Sequence, residues 1–479
     1  MNILASHILF LSLGIFIIKF FRKEKFISLF SIFISFVSLI YVLYIVNMQD
    51  SLINQKIDLI NIIPGIPLSF SLDYLSLIFL VISNSLWLMV SIFSEKYLEL
   101  NKYENKSKFY IFFTLSMLAT NGIIYSSNLL TTFIFYELLT IATYPLVTFK
   151  GDHKSIINGK RYLYYLLGTS IIFFLPAIIL THITAGTLDY KIGGVFTNYN
   201  NTTIYILVIL FLFGIAKSAI MPFHKWLPSA MVAPTPVSAL LHAVAVVKSG
   251  VFILLKVMLF IFGIDVLTAS GANIIIILFA SFTIIASSII ALSKDNIKLR
   301  LAYSTIGQLS YIVLATAILA PYSILAAILH LIFHGLGKII LFLSAGIIAT
   351  QTGIKNVSEM NNLSSKLPIT CLLMTIGAII MVGLPPTVGF ISKWYLLLGI
   401  VESEKLYLLF VIILSTLLNA SYYFPMIYKA YFEKEKFSYK ESSCENMILA
   451  FPVILIGFIA VFIFFKTDFI VKFITEQII

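Results

Sequence analysis

Apolar runs of about twenty residues, separated by short polar clusters, fill almost the whole chain. A helix needs about 20 consecutive apolar residues to cross the hydrocarbon of a bilayer. The pattern predicts an all-α integral membrane protein with about fourteen spans. They lie near 3–20, 26–47, 71–93, 109–126, 128–149, 161–183, 204–222, 236–262, 272–293, 299–319, 322–349, 370–398, 406–429 and 447–466. The seventh run is the weakest, because Pro222, Pro228, Pro234 and Pro236 crowd its end. No Gly/Ser-rich linker divides the chain, so one continuous membrane domain is expected.

Composition agrees. The 479 residues are 60% hydrophobic and only 11% charged, against about 25% charged in a soluble domain, and mean hydropathy is +1.03. No water-soluble surface can be built from so few charges, which excludes a cytosolic enzyme, a nucleic-acid module and a disordered scaffold. The net charge of +11 belongs to loops and forms no nucleic-acid face. With the N-terminus outside, the loops on the inner side hold 22 of the 32 Lys and Arg residues. The outer side holds five, Lys56, Lys191, Lys405, Lys466 and Lys472. Positive charge collects on the cytoplasmic side, so both termini are expected outside the cytoplasm, in a bacterial-type inner membrane. The N-terminal charges follow the first apolar stretch, which reads as a span and not as a secretory signal. Cys371 and Cys444 make no CxxC, metal-ligand or disulfide pattern.

Ionisable groups at membrane depth are costly and usually functional. The clear mid-span carboxylate is Glu137, in FIFYELLTIATYPLV. Against it stand Lys217, Lys248, Lys338 and Lys393; Lys256, nearer a span end, is expected to snorkel to the interface. One carboxylate cannot neutralise four lysines, so the set reads as a row of proton-accepting sites. The alternative is that each lysine is a plug bonded to carbonyls of a broken helix. His330, His334 and Lys338 fall at i, i+4 and i+8, one stripe of a helix, and histidine titrates near neutrality. No carboxylate or cysteine joins them, which weakens a metal or haem reading; no metal and no cofactor are expected. His242 alone reads as a packed histidine, an accessory at most. His224, beside Lys225, is placed at the inner interface with a role in proton uptake as its one functional reading. Asp73, in FSLDYLSLIF, reads as a helix-start carboxylate, with an exit or cation role as the alternative.

Two spans carry a breaker beside a lysine: Met221-Pro222 after Lys217, and Gly383-Leu384-Pro385-Pro386 before Lys393. Freed carbonyls at membrane depth are tolerated only where protein or water satisfies them. Broken helices at equivalent points of inverted repeats are a recurrent device of ion-coupled transporters. The breaks fall on the seventh and twelfth spans, an odd offset that reverses orientation. Two inverted five-helix repeats follow, 109–262 (spans four to eight) and 263–430 (spans nine to thirteen), flanked by 1–108 and 431–479.

The stretch AKSAIMPFHKWLPSAMVAPTPVSALLHAVAVVKSGVF (216–252) resembles the signature of the antiporter-like membrane subunits. These are the proton-translocating subunits of respiratory complex I, Mrp-type cation/proton antiporters and membrane-bound hydrogenases. The resemblance continues through AYSTIGQLSYIVLA, HLIFHGLGKIILFLSAG and GLPPTVGFISKWYLL, covering roughly 110–400. It implies that the essential glutamate falls on Glu137 and its partner lysine on Lys217. It further implies a connecting lysine at Lys248, a central stripe at His330, His334 and Lys338, and a terminal lysine at Lys393. The length and the GLPPTVGF and SKWYLL stretches look most similar to the D-type member of the Mrp antiporter subunits, while AKSA and APTPVSALLHA are shared with complex I subunits.

The resemblance therefore implies a proton-translocating subunit of a multisubunit monovalent cation (sodium)/proton antiporter. Its partners would be other membrane subunits, protons and a monovalent cation, with no nucleic acid and no soluble substrate. The alternative is a proton-pumping subunit of an NADH-quinone oxidoreductase or membrane-bound hydrogenase. This chain has no GxGxxG after a strand and no Cys quartet, so electrons would be handled by partners. An unrelated solute carrier ranks behind both, because the buried inventory is almost wholly proton-active.

Overall fold

The computed structural model describes residues 3–21, 23–53, 55–434 and 445–479; Cys444 and most of the Lys/Glu-rich loop at 429–445 lie outside them. The protein is a multi-pass bundle of helices. In chain order these are α1 (Ile3–Ile18), α2 (Glu24–Asn47), α3 (Tyr74–Leu100), α4 (Lys106–Tyr125), α5 (Leu129–Val147), α6 (His153–Ala185), α7 (Asn201–Gly214), α8 (Thr235–Phe262) and α9 (Asn273–Leu292). They continue with α10 (Ile297–Ile318), α11 (Pro321–Thr352), α12 (Pro368–Val382), α13 (Val388–Glu402), α14 (Tyr407–Phe432), α15 (Met447–Phe465) and α16 (Thr467–Gln477). Among the described residues ten are long and apolar enough to cross a membrane: α2, α3, α5, α6, α8, α9, α10, α11, α14 and α15. The shorter α1, α7 and α12 are apolar as well.

Local chemistry sets the helix starts. Asp73, Asn128, Asp152, Asn200 and Asn296 each accept an amide hydrogen bond from the first turn of the helix they precede, at 2.7–3.1 Å. Such caps occupy orphan donors of the first turn. Within the spans Ser and Thr return their hydroxyls to carbonyls one turn back, as Thr120, Thr143 and Ser310 do, so they are tolerated without water.

The interior is largely apolar, as in a soluble protein, but the surface is apolar too. Phe16, Leu29, Ile171, Leu278, Phe410 and Phe458 are exposed on the flank, while histidines and lysines are enclosed. The most enclosed element is α11, whose apolar window is buried throughout. It is 32 residues long, about 48 Å at 1.5 Å per residue, and packs against α3, α8, α10, α12, α13, α15 and α16. The N-terminal helices have a polar seam of their own. His7 bonds Tyr125 at 2.7 Å and Ser38 at 2.8 Å, and Ser38 donates to Asn84, which bonds Asn121.

Two features differ from the sequence expectation, and a third meets it. Residues 57–70, read as a loop between spans, form an antiparallel hairpin of β1 (Ile57–Ile63) and β2 (Ile66–Phe70). Its Pro64-Gly65 corner has Gly65 at φ +81°, open to glycine without Cβ strain. The run near 370–398 is two helices, α12 and α13, parted at the Gly383-Leu384-Pro385-Pro386 breaker where the sequence expected a break. Beyond the last span the separate helix α16 has a charged face that a search for apolar runs passes over.

Candidate functional site

The first break is built from the end of α7. After Gly214 the chain makes a single 3₁₀ turn, Ala216–Ser218, and Ala219 takes φ +60°. Groups freed by the break find partners. The Trp226 indole donates to Ala216 O at 2.9 Å, Thr283 accepts from Met221 N at 3.1 Å, and Tyr136 OH accepts from Lys217 N at 3.2 Å. A Cβ at Gly250 of α8 would lie 2.3 Å from the Lys217 carbonyl carbon and from Ser218 N. Only glycine lets α8 rest directly on the break.

Lys217 is fully buried there. Its ammonium donates to Tyr136 O at 2.8 Å and Thr140 Oγ1 at 2.6 Å, and lies 3.1 Å from the Tyr136 ring centroid. Glu137, half-buried at the middle of α5, makes no ion pair with it within 4 Å. Both Glu137 oxygens lack a hydrogen-bond partner; Lys217 and Ser170 are the groups within electrostatic or near-bonding reach. Ser170 opens a stretch of π-helix, Ser170–Phe174, inside α6. Such bulges often occur at functional sites.

Next comes the centre of α11. Lys248 donates to Leu331 O at 2.5 Å. His330 is held by Ser392 at 2.9 Å and Gln308 at 3.0 Å, and stacks near His334 at 5.9 Å between centroids. Neither nitrogen of His334 has a hydrogen-bond partner; Lys248, Lys338, His330 and His242 all act on it electrostatically. Lys338 donates to Leu301 O, Ser304 Oγ and Tyr423 OH at 2.8–3.1 Å. His242 sits in a π-helical stretch, Leu240–Val244, against the Phe342 ring at 4.6 Å.

At the second break Lys393 of α13 reaches back to α12, donating to Val382 O at 2.7 Å and Met381 O at 3.3 Å. A cation at unsatisfied C-terminal carbonyls is favoured by the helix dipole. A Cβ at Gly389 would fall 1.8 Å from Ile380 O, so this junction too is packed backbone to backbone.

The structure thus brings Lys248, His330, His334, Lys338 and His242 together. It sets Lys393 within electrostatic reach of His330 and Glu137 within reach of Lys217. Two residues lie apart. His224 bonds Pro222 O at 3.2 Å and faces Tyr303. Asp73 caps α3 as expected, and also pairs with Lys256 at 2.9 Å. Lys256 does not snorkel. It is 2% exposed, with Ser76 and Ser126 O as further partners and the Tyr190 ring 4.3 Å away. The loop around Lys191–Val195 bonds onto the end of α8 and closes that end over it.

Sequence reasoning missed the neutral partners Tyr136, Thr140, Gln308, Ser392, Ser304 and Tyr423. It also counted Arg300 as a loop base; the guanidinium is buried against Lys294 O and Tyr422 O at 2.8 and 2.9 Å. An arginine at the second position of the run near 299–319 was the signal available. Among the described residues no three His, Cys, Asp or Glu side chains converge to hold a metal ion.

Fold and interior together define a multi-pass membrane protein with a lane of ionisable groups inside. The family model described as NADH:quinone oxidoreductase/Mrp antiporter, TM, matches residues 126–419, and the chain belongs to that family. It is 31% identical to NADH-quinone oxidoreductase subunit N of Desulforudis audaxviator over 351 residues, 71% of this chain and 68% of that one. It is 30% identical over 416 residues to a Staphylococcus saprophyticus protein bearing the name antiporter subunit mnhA2, 81% of this chain and 50% of that one. The chain therefore spans about half the length of that relative. Two solved structures share the fold. One is the membrane-bound sulfane sulfur reductase, an archaeal respiratory complex (TM-score 0.85, 22% identity, 99% of this chain and 97% of that one). The other is the Mrp complex from Dietzia (TM-score 0.86, 18% identity, 100% and 97%). These matches reach more than one kind of subunit and do not single out the D-type member.

Proposed function

We propose that this protein is the proton-translocating membrane subunit of a multisubunit sodium/proton antiporter, most similar in kind to the D-type member of the Mrp set. Protons pass along Glu137, Lys217, Lys248, His334, His330, Lys338 and Lys393, with His242 beside the central group. The observation that carries this reading is the row on α11 and its neighbours. Three lysines (Lys248, Lys338 and Lys393) and two histidines (His330 and His334) are buried within electrostatic reach of one another or of a shared neighbour, and their bonds go only to carbonyls, hydroxyls and an amide. A structural ion pair would bring a carboxylate to each ammonium; here each partner is neutral, so a proton can leave without stranding a counter-charge. Unpartnered His334 nitrogens in a polar surround are where a bridging water is favoured.

Glu137 is the switch. Lys217 now bonds to Tyr136 O and Thr140 Oγ1, which flank Glu137 on α5; swinging to Glu137 would hold its proton, and swinging back would release it toward Lys248. In this reading ten long apolar helices, together with α1, α4, broken α7 and the α12–α13 pair, make fourteen spans. The breaks mark two inverted halves, 109–262 and 263–430, and both termini lie outside the inner membrane's cytoplasmic face.

The test is cation/proton exchange in vesicles holding the whole assembly. Glu137→Gln and His334→Ala each lower exchange by about tenfold or more while the assembly stays intact. Full exchange in both variants overturns the relay. A second reading, a proton-pumping subunit of a redox complex, is favoured by the 31% identity to a quinone oxidoreductase subunit. Iron–sulfur and flavin subunits co-purifying with the chain would establish it; small membrane subunits alone would support the antiporter.

A further inference from the structure

At the lysine-rich end of the bundle a cavity of about 520 Å³ opens between the starts of α6, α8 and α10 and the loop after α11. Its wall carries Lys150, Lys154, Lys298 and Lys355, with Asp152 as its one carboxylate. Asp152 is already engaged, accepting Ser155 N at 2.9 Å as the cap of α6. Among the described residues none of the four lysines forms an ion pair with a carboxylate within 4 Å. Nearby acids are turned elsewhere: Asp295 binds Ser358, and Glu359 takes the amides of Lys355 and Asn356.

Three helix starts converge on the same space. Asp152 caps α6, Asn296 caps α10, and Thr235, which lines the cavity, opens α8. Helix N-termini carry partial positive charge; the amides of Ser155, Thr235, Ile297 and Leu299 are already bonded here, so it is this field and the lysines that an anion would meet. The floor is stiff, because Lys298 donates to Ala233 O at 2.6 Å and Ile297 N donates to Lys355 O at 2.9 Å. Burial and the Lys355 ammonium hold Lys150 below the usual lysine range. A concave site lined by one sign of charge focuses its field and concentrates the opposite ion.

We propose that this cavity binds a phosphate-bearing anion, held by Lys150, Lys154 and Lys355 around the helix starts, with Lys298 fixing the floor. Ala345, Ala349 and Met231, which also line the cavity, supply apolar surface that suits the glycerol of a phospholipid headgroup, and inorganic phosphate offers the same anionic chemistry. A consequence is that this mouth repels cations, so a transported cation enters elsewhere. The inference is independent of the relay.

The test uses the purified assembly. Thermal stability and native mass spectra are compared in micelles containing phosphatidylglycerol or phosphatidylcholine, and separately with inorganic phosphate added. Phosphatidylglycerol should bind and stabilise selectively, and the double variant Lys154→Gln/Lys355→Gln should weaken that binding about tenfold. Both side chains are exposed and leave the fold intact, which wild-type melting in phosphatidylcholine verifies. Stabilisation by inorganic phosphate alone, lost in the double variant, supports the site and assigns the free ion as its occupant. Equal binding of both lipids with no phosphate effect, no change in the double variant, or occupancy only by an acidic polypeptide overturns the proposal.

Discussion

Glu137 and Lys217 lie within electrostatic reach but form no ion pair within 4 Å, and what holds Lys217 there is residue chemistry. The Lys217 ammonium has two oxygen partners on α5 and the face of Tyr136, so it is solvated by protein in the absence of the carboxylate. Gly250 sets the position of Lys217, since any side chain there meets backbone and not a yielding side-chain tip. Gly250→Ala should therefore destabilise the protein by about 2 kcal/mol or more and reduce exchange, read by thermal unfolding in detergent alongside vesicle transport. Unchanged melting would show that α8 does not rest on the break. The charged residues of the lane were legible because each interrupts an apolar run. Their neutral partners were not. Ser, Thr and Tyr recur throughout these helices, and nothing in their spacing separates Ser392, which holds His330, from Thr120, which merely bonds its own helix.

Breaks and bulges do the shaping at the scale of elements. Proline and glycine announced both broken helices, and the buried lysines beside them stood out in the same stretches. The π-helical stretches Ser170–Phe174, Leu240–Val244 and Val257–Phe262 were invisible, because one extra residue per turn leaves no mark in composition. They place Ser170 near Glu137, His242 beside His334, and the turn after Lys256. The first break depends on the Trp226 indole for one of its freed carbonyls. Trp226→Phe keeps most of the packing and removes one of the two hydrogen bonds to Ala216 O, which keeps the Ala219 amide, a loss of about 0.5–1.5 kcal/mol. Denaturation in detergent checks it; a loss below a few tenths would mean the carbonyl is solvated by other means.

For the whole molecule, the reading of Lys256 as an interfacial snorkel failed because distance from a span end was measured along the chain. In space the loop near Lys191 folds over that end, and Lys256 becomes an interior cation paired with Asp73. Breaking a buried pair costs about 3–5 kcal/mol; the Asp73 side chain is 25% exposed, so about 1–3 kcal/mol is expected for Asp73→Asn. The double variant Asp73→Asn/Lys256→Gln should recover part of that loss, in a double-mutant cycle on unfolding. A double-variant loss equal to the sum of the Asp73→Asn and Lys256→Gln losses would mean the pair contributes nothing.

Such a molecule must also enter the bilayer with its interior charges already accommodated. Only Leu319 and Ala320 separate α10 from α11, so the two must emerge from synthesis as a hairpin. Ser304 and Leu301 O of α10 already meet Lys338, and Gln308 already meets His330. The most polar stretch of the interior is thus escorted by its own neighbour, and can be delivered to lipid before α13 and α14 have left the ribosome.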